Sequence, residues 1–158
     1  GSVSGSHINP AVTVGLWSRK LIPTTEAVAY ITAQVLGATL ALASYQYLSD
    51  KSAELSATAF DWRNFTGELL GALLFGFGIA AAVYGKYTGG LQATTIGLSL
   101  MLGILVASAG SAAVLNPAVG LAVGVTGWAY VIGPIVGAVV GINLYGYLFA
   151  PGKKSSKK

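Results

Sequence analysis

Cysteine is absent from this chain, and histidine occurs once, at His7. The first absence excludes a disulfide framework and thiol chemistry. The second leaves a His-based metal site without ligands, so no metal is expected. Charge is scarce as well: 9% of the 158 residues are Asp, Glu, Lys or Arg, against about 25% in a soluble domain. From Tyr87 to Gly152 there is no charged residue and no histidine. No paired carboxylates, phosphate-binding loop or nucleophile beside a base can be picked out, so neither an enzyme nor a cofactor is expected. The net charge of +4 is a poor argument for nucleic acid, because four of the nine basic residues are Lys153, Lys154, Lys157 and Lys158. Methionine is also nearly absent: the chain begins at Gly1 and its one Met is Met101. Further sequence ahead of Gly1 is therefore expected.

What fills the chain is apolar sequence, 54% of it. Four runs are long enough to cross a bilayer, at about 20 residues per crossing: Ala27 to Leu48, Phe65 to Tyr84, Leu91 to Ala107 and Trp128 to Phe149. The class is a multi-span, all-α membrane protein. Two shorter apolar stretches, Asn9 to Trp17 and Asn116 to Val125, would each reach only about 15 Å as helices. That is half the hydrocarbon thickness, so they are re-entrant, interfacial or in loops.

Both short stretches open with one tetrapeptide, Asn9-Pro10-Ala11-Val12 and Asn116-Pro117-Ala118-Val119. Asn is a favoured N-cap and Pro suits the first helical turn. Two copies, each followed by a full span, make an internal repeat of the kind from which broken-helix transport pathways are built. Two half-helices that return to their own side put Arg19, Lys20, Lys86 and the four tail lysines on one face, with Lys51 and Arg63 on the other. That asymmetry orients the tail toward the cytoplasm and makes the half-helices enter from opposite sides. Each helix N-terminus carries about half a positive elementary charge. If the Asn9 and Asn116 oxygens cap their helices, both NH₂ groups are free to donate to a passing solute while the dipoles repel cations.

Gly5-Ser6-His7-Ile8-Asn9-Pro10-Ala11-Val12-Thr13, with Asn116-Pro117-Ala118, resembles the two signature loops of the aquaporin/aquaglyceroporin (major intrinsic protein) family. Ala33-Gln34-Val35-Leu36-Gly37-Ala38 is similar to the family's third helix and Gly67-Glu68-Leu69-Leu70-Gly71 to its fourth. Gly97 to Leu100 and Gly133 to Ala138 resemble the fifth and sixth. The resemblance implies an inverted-repeat bundle without its first two helices. One channel domain would cover 1–150, with 1–48 the remainder of the first repeat and 64–150 the second, followed by a basic cytoplasmic tail at 151–158. It also implies a homotetramer in the plasma membrane, passing water or a small neutral solute such as glycerol.

The resemblance makes Glu68 and Gln34 supports of the half-helix loops; a membrane-edge carboxylate and interhelical glue are the other readings. His7 is either a cytoplasmic-side gate residue or a loop support. The narrow filter departs from the family pattern, with Val119 where an arginine is usual, Ile104 at the fifth-helix position and Ala113 in the loop. Gly120 and Gly124 match neither the water-type nor the glycerol-type pattern; Tyr130 looks water-type and Val131 fits both. The solute stays open. So do two other functions: a non-conducting structural membrane protein of the same fold, and an ion-permissive channel. Gly133, Gly137 and Gly141, with Gly67 and Gly71, are expected to let helices approach closely.

Overall fold

The computed structural model describes residues 3–51 and 59–150, and the elements in them are helices: α1 Pro10–Ser18, α2 Thr24–Ser49, α3 Trp62–Tyr84, α4 Gly89–Ala107, α5 Pro117–Ala122 and α6 Trp128–Phe149. Four of them, α2, α3, α4 and α6, are long and apolar enough to span a membrane. With 26 residues in α2 and 19 in α4, their lengths are about 39 and 28 Å. The basic tail lies outside the described residues.

Both half-helices start as the Asn-Pro pairs predict. The Asn9 side chain accepts from the Ala11 N–H at 2.8 Å, and Asn116 accepts from Ala118 and Val119 at 3.1 and 3.4 Å. The first runs close to its expected length. The second is cut short, with 6 residues where sequence to Val125 was expected. The cause is glycine. Gly124 takes a left-handed conformation (φ 83°) that an L side chain resists. The Val125 N–H then bonds back to the Gly120 carbonyl and the Gly124 N–H to Leu121, at 2.8 and 3.3 Å. That pair of bonds is a Schellman stop.

The long helices are held by backbone-to-backbone approach. A Cβ on Gly137 would lie 2.1 Å from the Leu69 carbonyl oxygen, one on Gly141 would lie 2.1 Å from that of Leu73, and one on Gly133 would lie 3.0 Å from that of Phe65. The four-residue step on α6 thus matches a four-residue step on α3. Gly71 and Gly103 approach each other's carbonyls in the same way, tying α4 to α3. Val12, Leu16, Phe75, Ile79, Ala80 and Ile142 form the buried core where α1 meets α3 and α6.

The half-helices pack crosswise, α1 on α6 and α5 on α2, so each repeat's short helix rests on the other repeat's last span. Arg19 Nε donates to the Tyr84 hydroxyl at 3.1 Å, and Asn143 donates to Ser18 at 2.7 Å. The C-terminal ends of α1 and α3 therefore lie together beside the last turns of α6. Aromatic rings cluster at both ends of α3, with Phe60, Trp62 and Phe65 at its start and Tyr84, Tyr145 and Phe149 at its finish. Rings in two such belts suit the two membrane–water interfaces. Val28, Leu36, Leu40, Leu98, Met101 and Leu105 are exposed on α2 and α4.

Candidate functional site

The site grows from the two Asn-Pro starts. Asn9 Nδ2 donates to the Leu115 carbonyl and Asn116 Nδ2 donates to the Ile8 carbonyl, each at 2.9 Å. Each amide therefore caps its own helix with its oxygen and clamps the opposite loop with its nitrogen. The expectation of two free NH₂ groups is corrected here, because one hydrogen of each is committed to this cross-brace. An amide nitrogen carries two hydrogens, so one remains on each. Asn9 is buried at 4% exposure, whereas Asn116 lines a cavity of about 620 Å³. The two helix N-termini thus face each other, and their positive ends converge.

The loops leading into the braces are strained. Ser6 and Ile8 have φ of 50° and 43°, and their counterparts Ala113 and Leu115 have 52° and 53°. Left-handed backbone is costly for such residues, above all for β-branched Ile8. It persists only where surrounding contacts enforce it.

Glu68 supplies that enforcement for the second loop. Fully buried on α3, its carboxylate accepts from Ser111 Oγ at 2.8 Å, the Val114 N–H at 2.9 Å and the Leu115 N–H at 2.6 Å. A membrane-edge carboxylate does not describe that position. In the first loop the Thr13 hydroxyl, itself fully buried, is the hub. It donates to the Asn9 carbonyl at 3.1 Å and accepts from Gln34 Nε2 at 3.1 Å. His7 Nδ1 lies 3.2 Å from the same oxygen. With its one hydrogen spent, Thr13 can only accept, so neutral His7 carries its proton on Nδ1. Burial lowers the His7 pKa, against an opposing pull from Glu26. Gln34 reaches Thr13 from α2, and its Oε1 has no partner among the described residues.

The cavity is lined by His7, Ile8, Gln34, Asn116, Ala118 and Val119, among others. Of the expected filter residues, Val119 alone lines it. Ile104 is on an exposed part of α4, and Ala113 packs near Leu115, Ala72 and Ala107. The Gly71–Gly103 approach seats Gly103 against α3, and its neighbour Ile104 stays exposed. Thr13, Ser111 and Tyr30 were not legible in the sequence as site residues, and Tyr130 was legible only as a water-type residue. The signal for the tyrosines was present in the matching Ala29-Tyr30-Ile31 and Ala129-Tyr130-Val131.

Residues 1–145 match the model of the family described as major intrinsic protein. Aquaporin AqpM of Methanothermobacter marburgensis is 38% identical over 130 residues, covering 75% of this chain and 52% of that protein. Aquaporin NIP1-1 of Arabidopsis thaliana is 32% identical over 129 residues, 74% of this chain and 44% of its own length. Aquaporin Z of Rhodopseudomonas palustris is 31% identical over 133 residues, 75% and 55% respectively. The chain spans about half the length of the curated relatives it matches. A match over this much of the sequence, on a bundle with two braced half-helices, places the chain in the major intrinsic protein family of integral membrane proteins.

Proposed function

We propose that the protein is a passive channel for water or another small uncharged solute, without energy coupling. The observation that carries this reading is the Asn9–Asn116 cross-brace, which holds two helix N-termini head to head beside a cavity. Converging positive ends disfavour a cation there, while the remaining amide hydrogen of Asn116 can donate to a solute oxygen. Loop carbonyls ahead of each Asn supply acceptors. On this reading Val119 is the pore-facing constriction residue, and an apolar side chain there favours a solute with a carbon skeleton, such as glycerol, over a strictly water-selective passage. His7 and Gln34 stand on the same pathway from the side of the first loop.

The remaining wall belongs, on this reading, to sequence outside these 158 residues, and the working unit is a homotetramer in the plasma membrane with the basic tail in the cytoplasm. Swelling of proteoliposomes carrying the full-length protein in a glycerol gradient tests the solute. Glycerol entry above that of empty vesicles supports the wide-pore reading. Water flux without glycerol entry would restrict the channel to water.

A further inference from the structure

Two tyrosines outside the braces just described occupy matching places in the two repeats. A shift of 107 residues carries Asn9 onto Asn116 and also carries Gly5 onto Ala112. A shift of 100 carries Tyr30 on α2 onto Tyr130 on α6. The Tyr30 hydroxyl accepts from the Gly5 N–H at 2.5 Å, and the Tyr130 hydroxyl accepts from the Ala112 N–H at 3.2 Å. Each hydroxyl therefore meets the backbone at the same point, four residues ahead of its Asn. Gly5 is required for this approach, because a Cβ there would sit 3.0 Å from the Tyr30 hydroxyl and 2.9 Å from His7 Nε2. The His7 ring stacks on Tyr30 at 4.1 Å between centroids.

The geometry points to Tyr30 and Tyr130 as paired positioning residues that fix the outer ends of the two strained loops and so set the selectivity of the pathway, an inference that rests on the proposed conduction. Each strained stretch has two ends. The inner ends are clamped by the Asn cross-brace. The left-handed residues between, Ser6 and Ile8 or Ala113 and Leu115, lose one of the contacts that enforce them if the outer end is released, the second loop keeping its bonds to Glu68 and Ser111. Ser6, His7 and Ile8 line the cavity, and the second loop meets the same wall where it ends at Asn116, so a shift of either loop moves the wall that a solute passes. Replacing Tyr by Phe removes the hydroxyl and keeps the ring, which leaves the packing of buried Tyr130 in place.

The test uses the full-length protein with Tyr30→Phe and Tyr130→Phe, singly. Amide hydrogen exchange should accelerate at Gly5 in the first variant and at Ala112 in the second, each locally. The glycerol-to-water permeability ratio in proteoliposomes should rise by about two- to tenfold, the range spanned by one net hydrogen bond. The ratio is the discriminating readout: a merely structural tyrosine lowers the number of folded channels, scales both fluxes together and leaves the ratio fixed. Unchanged exchange at both amides, or an unchanged ratio in both variants, overturns the inference. Absence of any flux from the wild type defeats the conduction reading and the selectivity clause, and the exchange data still decide whether the tyrosines hold the loops.

Discussion

Removal of the Glu68 carboxylate probes the second loop most sharply. In Glu68→Ala the N–H groups of Val114 and Leu115 lose their acceptor. The Ser111 hydroxyl keeps a second acceptor in the Ala107 carbonyl at 3.1 Å, so it is not orphaned. Leu115 is fully buried and Val114 partly so. An unsatisfied buried donor costs about 1–3 kcal/mol, which makes the expected loss about 2–5 kcal/mol for the pair. At about 2–4 °C per kcal/mol for a protein of this size, the apparent melting point should fall by roughly 4–20 °C. The Leu115 carbonyl is also the acceptor for Asn9, so flux per folded channel should fall with it. Glu68→Gln should be intermediate, because one oxygen still serves Val114 while an NH₂ group faces the Leu115 N–H. Scanning fluorimetry of the purified full-length protein reads the first quantity and stopped-flow light scattering the second. A Glu68→Ala variant that melts with the wild type would show that this carboxylate does not hold the loop.

Val119→Arg should cut glycerol entry and cation conductance while water flux persists, since a fixed charge about 6 Å from the axis opposes a cation by roughly 3 kcal/mol at an effective dielectric of about 20; unchanged glycerol flux and conductance would remove Val119 from the constriction. Gly137→Leu should prevent close packing of α6 on α3, because even a Cβ there meets the Leu69 carbonyl at 2.1 Å, and a loss of more than about 3 kcal/mol should appear as poor yield and a lowered melting point. His7 is held neutral by a pKa lowered through burial: the stability this gives is complete above the unfolded value of about 6.5 and is lost as pH falls through the folded value. The acid-side drop in melting point should therefore shrink in His7→Gln, and equal pH profiles would contradict the assignment. A protease site placed after Lys158 should be cut from the cytoplasmic side only; external cleavage in intact cells would reverse the topology.

The spans and half-helix starts were legible because their causes are local. Length, apolar content and the Asn-Pro pair act within a few residues of where they are read, and the helix ends fall within a few residues of the expected ones. The early end of α5 was also written locally, in Gly120 and Gly124, but a run of apolar residues hides a stop made by backbone conformation. The close approach of α3 and α6 was signalled by glycine spacing, though spacing alone does not say which carbonyls the glycines meet. The cross-brace was not legible. Whether Asn9 donates to a solute or to Leu115 depends on a partner 106 residues away in sequence. Thr13 lies only 6 and 21 residues from His7 and Gln34, but its place as their hub depends on how α2 packs beside the first loop, which no local pattern states. The filter was legible only in part: counting along a helix places Ile104 at a height, while its facing depends on how Gly103 seats against Gly71.

The central claim is that two braced helix N-termini admit neutral solutes and refuse charge. It is tested most directly by measuring water permeability and proton leak on the same vesicles, using the full-length protein with an enclosed pH-sensitive dye. The account predicts water flux well above that of empty liposomes with proton leak unchanged from theirs. Proton leak rising together with water flux would contradict it, as would water flux equal to that of empty vesicles.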